Sequence, residues 1–215
     1  MVFVPVLPAA FAGYLAGSLP TAYLLVRSQR RLDIRRSGSG NVGALNTYEV
    51  TGSRALGATV LVTDLLKGMA AVWIGLLFHP AGGAVAAAGA VLGHCYPVWL
   101  GFHGGRGLAT AAGAVLLLAW PFVPVWGLAW LAAFACVREV NIGNLIATAT
   151  AGGVAAAAPL FTEGFALAGP PPPDVLRICM LVLLGIILSR LVEPVARVIR
   201  ARMADREEGG GGGRT

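Results

Sequence analysis

The sequence predicts an all-α integral membrane protein, a bundle of about seven transmembrane or half-spanning helices with polar, glycine-rich cytoplasmic loops. Composition is the first observation: 57% of the 215 residues are hydrophobic and 12% are charged, against about 25% charged residues in soluble domains. The mean hydropathy is +0.76. The second observation is pattern, because apolar runs recur and basic residues flank them. The net charge of +6 therefore indicates membrane topology and no nucleic-acid partner.

The apolar runs divide the chain into seven predicted helical segments. Residues 2–26 form the first span, and five arginines follow it, so the positive-inside rule places the N-terminus outside and these arginines in the cytoplasm. The other segments are residues 55–78, 84–100, 108–119, 125–137, 145–161 and 175–192. A span takes about 20 residues, so residues 108–119 and 125–137 are predicted to be short or tilted helices inside the bundle.

The connections are predicted from turn residues and charge. Residues 44–52 form a short interfacial helix, and external turns occupy residues 79–83 and 162–174. We expect one membrane-embedded domain over residues 1–200, ending in a basic interfacial helix, and a disordered cytoplasmic tail over residues 201–215. The three cysteines form no CxxC pair, and no metal or cofactor is predicted.

Three polar loops fall on the predicted cytoplasmic side. The first, residues 38–46 (GSGNVGALN), follows a pair of arginines. Its glycines let a ligand approach main-chain N–H groups, which can form an anion-binding nest. Residues 102–107 and 138–144 form the other two loops. These loops predict a phosphate-binding receptacle at one end of the bundle.

Two charged residues, Asp64 and Lys67, lie within the second predicted span. They are three positions apart, so they are neighbours on one helix. An intramembrane ion pair is costly and tends to face the bundle interior. It either supports the polar site or is a satisfied structural pair, and the sequence leaves both interpretations open.

Several motifs in order along the chain resemble one family. They are residues 38–46 (GSGNVGALN), 61–68 (LVTDLLKG), 92–99 (LGHCYPVW), 104–110 (GGRGLAT) and, more weakly, 138–144 (REVNIGN). In these stretches the chain resembles the bacterial membrane-integral acyl-phosphate:glycerol-3-phosphate acyltransferases. The resemblance implies transfer of a fatty acyl group from acyl phosphate to the 1-hydroxyl of glycerol 3-phosphate. It implies lysophosphatidic acid as the product, phospholipid synthesis at the bacterial inner membrane, and membrane lipid as a partner.

The same resemblance implies the site residues. Ser39 and Arg106 are the candidate catalytic residues, with Arg106 standing where the family usually has lysine. The candidate substrate-binding residues are Gly40, Asn41, Asn46, His94, Gly104, Gly105, Asn141 and Asn144. Loop-stabilising roles are the alternative for Asn41 and Asn46, and a hydrogen-bonding brace is favoured for His94 over a proton carrier.

The chain departs from the family pattern at two places. Glu49 stands where the family has an arginine, and the tail lacks an Asn-x-x-Arg-Leu-x-x-Gly-x-Glu segment. Arg54 is the nearby residue that could compensate for Glu49. These departures leave open a homologue that binds a lipid or anionic phosphate without catalysis. Polar loops inside a helical bundle leave open a further alternative, a small permease for an anionic metabolite.

Overall fold

The computed structural model describes residues 6–157, 167–168 and 171–211, with side chains described as far as Ala204. In this part of the chain the regular structure is helical. The α-helices are α1 (Val6–Ser18), α2 (Thr21–Arg30), α3 (Ala44–Thr51), α4 (Arg54–Leu76), α5 (Gly82–Cys95), α6 (Leu108–Leu118), α7 (Phe122–Val137), α8 (Val140–Ala157) and α9 (Pro173–Gly211). Short 3₁₀ turns occupy Ile34–Arg36 and Val98–Leu100.

The predicted membrane bundle is confirmed. Five stretches are long and apolar enough to cross a bilayer: Val6–Arg30, Arg54–Leu76, Gly82–Leu100, Val140–Ala157 and Pro173–Ala204. The apolar helices α6 and α7 are shorter than a span, as the sequence predicts. These seven segments agree with the seven predicted ones in order and type.

The first predicted span, residues 2–26, differs from the structure in detail. It is broken at Leu19 and Pro20 into α1 and α2, because proline has no N–H to continue the helical ladder. Its residues before Val6 lie outside those described. The Leu19 carbonyl at the break accepts from the Thr21 N–H at 3.0 Å and from the Lys67 side chain at 3.2 Å. The broken helix is therefore stabilised from α4.

Two further boundaries differ from the sequence prediction. The third polar loop was predicted over residues 138–144, but α8 begins at Val140, since Glu139 caps it by accepting from the Ile142 N–H at 2.6 Å. The last helix was predicted to end near residue 192, but α9 passes through Pro194 and stays helical to Gly211. It therefore extends into the predicted tail. The predicted external turn over residues 162–174 lies mostly outside the described residues.

Close packing of α1 on α5 forms one side of the bundle. At Gly13 and Gly17 a Cβ atom would overlap the backbone of Ala86 and Ala90 on α5. Small residues allow such approach where no water is available to drive helices together. On the other side, α9 packs its buried Leu176, Ile187 and Leu191 into the main apolar core. This arrangement leaves an open space between α4, α6, α8 and α9.

Candidate active site

A cavity of about 360 Å³ occupies this space, with part of its wall supplied by α7. One end is polar and is lined by Asn41, Asp64, His94, Arg106 and Asn144. The remainder is lined mainly by apolar side chains, including Val115, Phe122, Trp126, Met180, Leu184 and Ile187. Each of the three polar segments contributes to the polar end, so the segments meet at one cavity.

The first loop is held in shape by Asn46, which is 1% exposed. Its Oδ1 atom accepts from the Ser39 N–H at 3.0 Å. Its Nδ2 group donates to the carbonyls of Ile34, Ser37 and Asn41 at 3.3, 3.1 and 2.9 Å. All these bonds end on loop backbone atoms, so the structure supports the loop-stabilising alternative for Asn46.

Within this loop, Asn41 reaches the cavity and Ser39 does not. Ser39 is exposed, and its hydroxyl has no hydrogen bond to any described residue. Gly38 and Gly40 have φ angles of 59° and 72°, the left-handed conformation that favours glycine. The Gly40 N–H is already bonded to the Ser37 carbonyl at 3.1 Å, so it contributes to the turn and not to an open anion nest.

Arg106 brings the second loop into the cavity. Among the described residues it is the only lysine or arginine in the cavity wall. Its Nε atom is buried and has no hydrogen-bond partner in the described part of the chain. A buried cationic donor without a partner is costly. The polar end is therefore prepared to receive an anion.

Gly104 and Gly105, which precede Arg106, are buried outside the cavity wall. Their N–H groups donate to the carbonyls of Cys95 and His94, both at 3.1 Å. Their carbonyls accept from Arg190 of α9. Since their backbone polar groups are used in this way, the two glycines shape the loop and do not offer donors to a ligand.

The third segment contributes Asn144, which is 6% exposed and has no side-chain hydrogen bond to the described residues. Asn141 lies outside the cavity wall. Its Nδ2 donates to Glu139 at 2.7 Å, and its buried Oδ1 has no partner in the described part of the chain. Of the two asparagines predicted here, Asn144 is the one placed for contact with a ligand.

Charged neighbours set the electrostatics at Arg106. Burial lowers the pKa of Arg106, and the carboxylates of Glu139 and Glu49 partly offset that effect. Arg197 and Arg190 act in the same direction as burial. Arginine stays protonated throughout the ordinary pH range, so these neighbours change the local potential and not the charge. Glu49 is exposed and outside the cavity wall, yet it is close enough to affect this potential.

The buried ion pair supports both the fold and the cavity wall. Asp64 is 2% exposed, Lys67 is 9% exposed, and Lys67 Nζ lies 2.7 Å from Asp64 Oδ1. Thr21 Oγ1 donates to the same oxygen at 2.9 Å. The pair faces the bundle interior, as predicted. It stabilises the break between α1 and α2, while Asp64 also lines the cavity.

His94 joins the ion pair to α6. Its Nδ1 atom lies 3.7 Å from Asp64 Oδ1 and 3.1 Å from Thr110 Oγ1, within hydrogen-bond distance. The imidazole is thus held between α4 and α6 while it contributes to the cavity wall. This geometry supports the predicted brace.

The comparison with protein families decides the assignment. The profile of the family described as glycerol-3-phosphate acyltransferase matches residues 7–201 of the chain. The chain belongs to this family. The glycerol-3-phosphate acyltransferase of Gluconobacter oxydans is 36% identical over 197 residues, 90% of this chain and 89% of that protein. The one from Erythrobacter litoralis is 42% identical over 147 residues, 68% of this chain and 74% of that protein.

Solved structures agree with the family. PlsY is an integral membrane glycerol 3-phosphate acyltransferase whose crystal structure in the glycerol 3-phosphate form has a TM-score of 0.75 and 30% identity. The match covers 92% of this chain and 93% of that chain. The lysophosphatidic acid form of PlsY has a TM-score of 0.73 and 28% identity over the same shares. The resemblance seen in the motifs is therefore confirmed, and the chain is a multi-pass membrane protein.

The family's motifs divide into two sets in this structure. The residues that line the cavity are Asn41, His94, Arg106 and Asn144. The residues outside the cavity wall are Ser39, Gly40, Asn46, Gly104, Gly105 and Asn141. The second set mostly satisfies loop backbone groups, which residue type alone cannot distinguish from ligand contact.

Sequence reasoning missed two residues that organise the site. Arg190 lies in the predicted segment 175–192 and received no role from the sequence, yet its bonds to the second loop join segments more than 80 positions apart. Thr110 looks like a small polar residue in an apolar helix, but it is fully buried and contacts His94. A buried hydroxyl requires a partner, which was the available signal for Thr110. Arg54, proposed as compensation for Glu49, is exposed and outside the cavity wall.

Proposed function

We propose that the protein transfers a fatty acyl group from acyl phosphate to the 1-hydroxyl of glycerol 3-phosphate, producing lysophosphatidic acid for phospholipid synthesis. The hydroxyl oxygen bonds to the acyl carbon, the bond from that carbon to the phosphate oxygen breaks, and inorganic phosphate leaves with the proton. The observation that carries the proposal is one cavity with the unpartnered Arg106 at its polar end and apolar walls beyond. Family membership over residues 7–201 supports it.

The residues at the polar end suit a phosphorylated acceptor. The Arg106 guanidinium can donate to two phosphate oxygens at once, and we assign it to the phosphate of glycerol 3-phosphate. The amides of Asn41 and Asn144 can bond neutral oxygens of the glycerol or of the carbonyl undergoing attack. Acyl phosphate is already activated, so positioning and oxyanion stabilisation suffice without a covalent intermediate on the protein.

The apolar part of the cavity suits the acyl chain. Along α6 the cavity wall runs from Leu108 to Val115, and along α8 it runs from Asn144 at the polar end to Ala151. Each stretch is two helical turns and therefore about 10 Å long. Leu45 and Leu61 line the cavity and are each 45% exposed. The cavity thus has an apolar opening at Leu45 and Leu61, through which an acyl chain can enter from the bilayer.

The direct test is lysophosphatidic acid formation by the purified protein. Acyl phosphate and glycerol 3-phosphate are supplied in detergent or liposomes, the product is measured by mass spectrometry, and acyl-CoA is offered in a parallel reaction. We expect turnover when acyl phosphate is the donor and no turnover when acyl-CoA is the donor. Folded protein that turns over neither donor, yet binds lysophosphatidic acid, would instead establish the second candidate, a non-catalytic lipid-binding homologue. The observation that favours that candidate is the carboxylate of Glu49, whose charge acts on Arg106.

Ser39→Ala tests the candidate catalytic hydroxyl. The described hydrogen bond of Ser39 uses its backbone N–H, so the variant keeps the loop intact. If this exposed hydroxyl contacts substrate although it lies outside the cavity wall, turnover should fall by roughly tenfold to a hundredfold, as for a lost hydrogen bond to a charged group. Ser37→Ala is the matched control, because the Ser37 hydroxyl donates to the Asp33 carbonyl at 3.0 Å and serves the loop. Equal turnover in Ser39→Ala and wild type would remove Ser39 from the mechanism.

Ala151→Phe tests the position of the acyl chain. Ala151 is 3% exposed and lines the apolar part of the cavity, so a phenyl ring there excludes methylene groups. At about 0.8 kcal/mol per CH₂ group, losing two of them lowers the rate with long-chain acyl phosphate roughly tenfold relative to a short chain. Ala149→Phe places the same ring on an exposed position of α8 and should leave chain-length preference unchanged. An identical length profile in both variants would place the acyl chain elsewhere.

A further inference from the structure

The guanidinium of Arg190 bridges two consecutive carbonyls of the second loop. Its Nη2 atom donates to the Gly104 carbonyl at 3.0 Å, and its Nε atom donates to the Gly105 carbonyl at 3.2 Å. Gly104 and Gly105 directly precede Arg106. A planar fork can bond two carbonyls at a fixed separation, which an ammonium group on a flexible stem cannot reproduce.

The position of Arg190 is itself fixed from the other side. Its guanidinium lies 5.2 Å from the centre of the Tyr96 ring, within the range of a cation–π interaction. The Tyr96 hydroxyl lies 3.1 Å from Ser189 Oγ, and the Tyr96 carbonyl accepts from the Tyr14 hydroxyl at 2.9 Å. Contacts from α1, α5 and α9 thus hold one arginine in place.

The same two residues are also bonded through their N–H groups. The N–H groups of Gly104 and Gly105 donate to the carbonyls that end α5, while Arg190 holds the carbonyls from α9. The loop is therefore clamped between two helices. Arg106 follows this clamp by one residue and points its unpartnered Nε into a buried position.

We propose that Arg190 is a positioning residue for acyl transfer, which clamps the Gly104 and Gly105 peptides so that Arg106 meets the phosphate of glycerol 3-phosphate in the correct orientation. This inference rests on the proposed function. Preorganisation of this kind lowers the cost of aligning a charged donor with its substrate. Arg190 acts through Arg106 and does not line the cavity.

The variants Arg190→Lys and Arg190→Met separate the fork from the charge. Lysine keeps the charge and methionine removes it, so if the two-carbonyl fork matters both raise the KM for glycerol 3-phosphate, by about tenfold to a hundredfold. The KM for acyl phosphate should change less than twofold. A wild-type KM for glycerol 3-phosphate in Arg190→Lys would show that only the positive charge of Arg190 matters, and it would overturn the clamp.

Arg177→Met is the matched control, because Arg177 lies on the same helix and also donates to a backbone carbonyl, that of Ala156 at 2.8 Å. It should leave both KM values within twofold of wild type. Hydrogen exchange supplies a readout that is independent of turnover. We expect the amides of Gly104 and Gly105 to exchange faster in both Arg190 variants and not in the control.

Calorimetric binding of glycerol 3-phosphate separates the two proposals. If wild-type protein binds it but turns over no donor, the proposed function fails while weaker binding by the Arg190 variants still supports the clamp. If wild type neither binds nor turns over, both proposals fail. Faster exchange at the loop with unchanged KM and binding would reduce Arg190 to a purely structural contact and overturn this inference.

Discussion

Replacing Arg106 by alanine is expected to lower kcat/KM for glycerol 3-phosphate by about a hundredfold or more, the usual effect of removing a preorganised charged or polar contact. Arg106 is the only lysine or arginine in the cavity wall among the described residues, so no neighbouring cation there can take over. Its buried Nε atom has no described protein partner. The side chain is therefore available for a ligand. Steady-state formation of lysophosphatidic acid measures the effect.

Two further variants give this prediction its controls. Arg106→Lys restores the residue that the family usually carries, keeps the charge and loses the planar fork, so we expect kcat/KM within about tenfold of wild type. Arg54→Ala removes an exposed arginine outside the cavity wall, and its activity should stay within twofold. Near wild-type activity in Arg106→Ala would show that another group binds the phosphate.

Replacing Asn46 by leucine is expected to destabilise the protein and abolish activity together. The side chain makes four hydrogen bonds to loop backbone atoms, each worth about 1 kcal/mol net. We expect the free energy of unfolding to fall by about 2–4 kcal/mol, because leucine fills the space but leaves a buried N–H and three carbonyls without this partner. Thermal unfolding followed by intrinsic fluorescence, beside turnover, measures both effects.

Asn46→Asp and Asn41→Ala test the interpretation from two sides. Aspartate has almost the same shape as asparagine, yet it directs an oxygen at three carbonyls, so it should destabilise at least as much as leucine. Asn41→Ala removes a cavity-lining amide that has no side-chain hydrogen bond to a described residue. It should lower turnover and leave the unfolding midpoint unchanged. A stable, inactive Asn46→Asp protein would show that Asn46 contacts substrate instead of bracing the loop.

The helical bundle was predictable because hydropathy reports directly on the solvent of each segment. The prediction of a span at residues 55–78 matches α4, Arg54–Leu76, and the interfacial helix at residues 44–52 matches α3, Ala44–Thr51. The prediction was less accurate where contacts with distant segments decide whether a local feature, such as a proline, ends a helix. Pro20 breaks the first span, and the break is held from α4 by the bonds of Lys67 to the Leu19 carbonyl and of the Thr21 hydroxyl to Asp64, whereas Pro194 remains within α9.

The candidate site was predictable as a set of segments but not as a set of contacts. Glycine, serine and asparagine at these positions signal a polar loop whichever way their side chains face. Asn41 lines the cavity and Asn46 does not, although both are asparagines of the same loop. That difference depends on which amide finds backbone partners, and the partners come from residues as distant as Ile34.

Sequence alone determined that this chain is a membrane-embedded helical protein with the motifs of a glycerol-3-phosphate acyltransferase, because composition, periodicity and motif order are properties of the chain itself. Only the tertiary structure decided which motif residues meet at the cavity. It also decided that Arg106 is the lysine or arginine in the cavity wall among the described residues, and that Arg190 holds the loop that carries Arg106. Those facts depend on distances between segments far apart in the chain, which packing of α5, α6 and α9 sets.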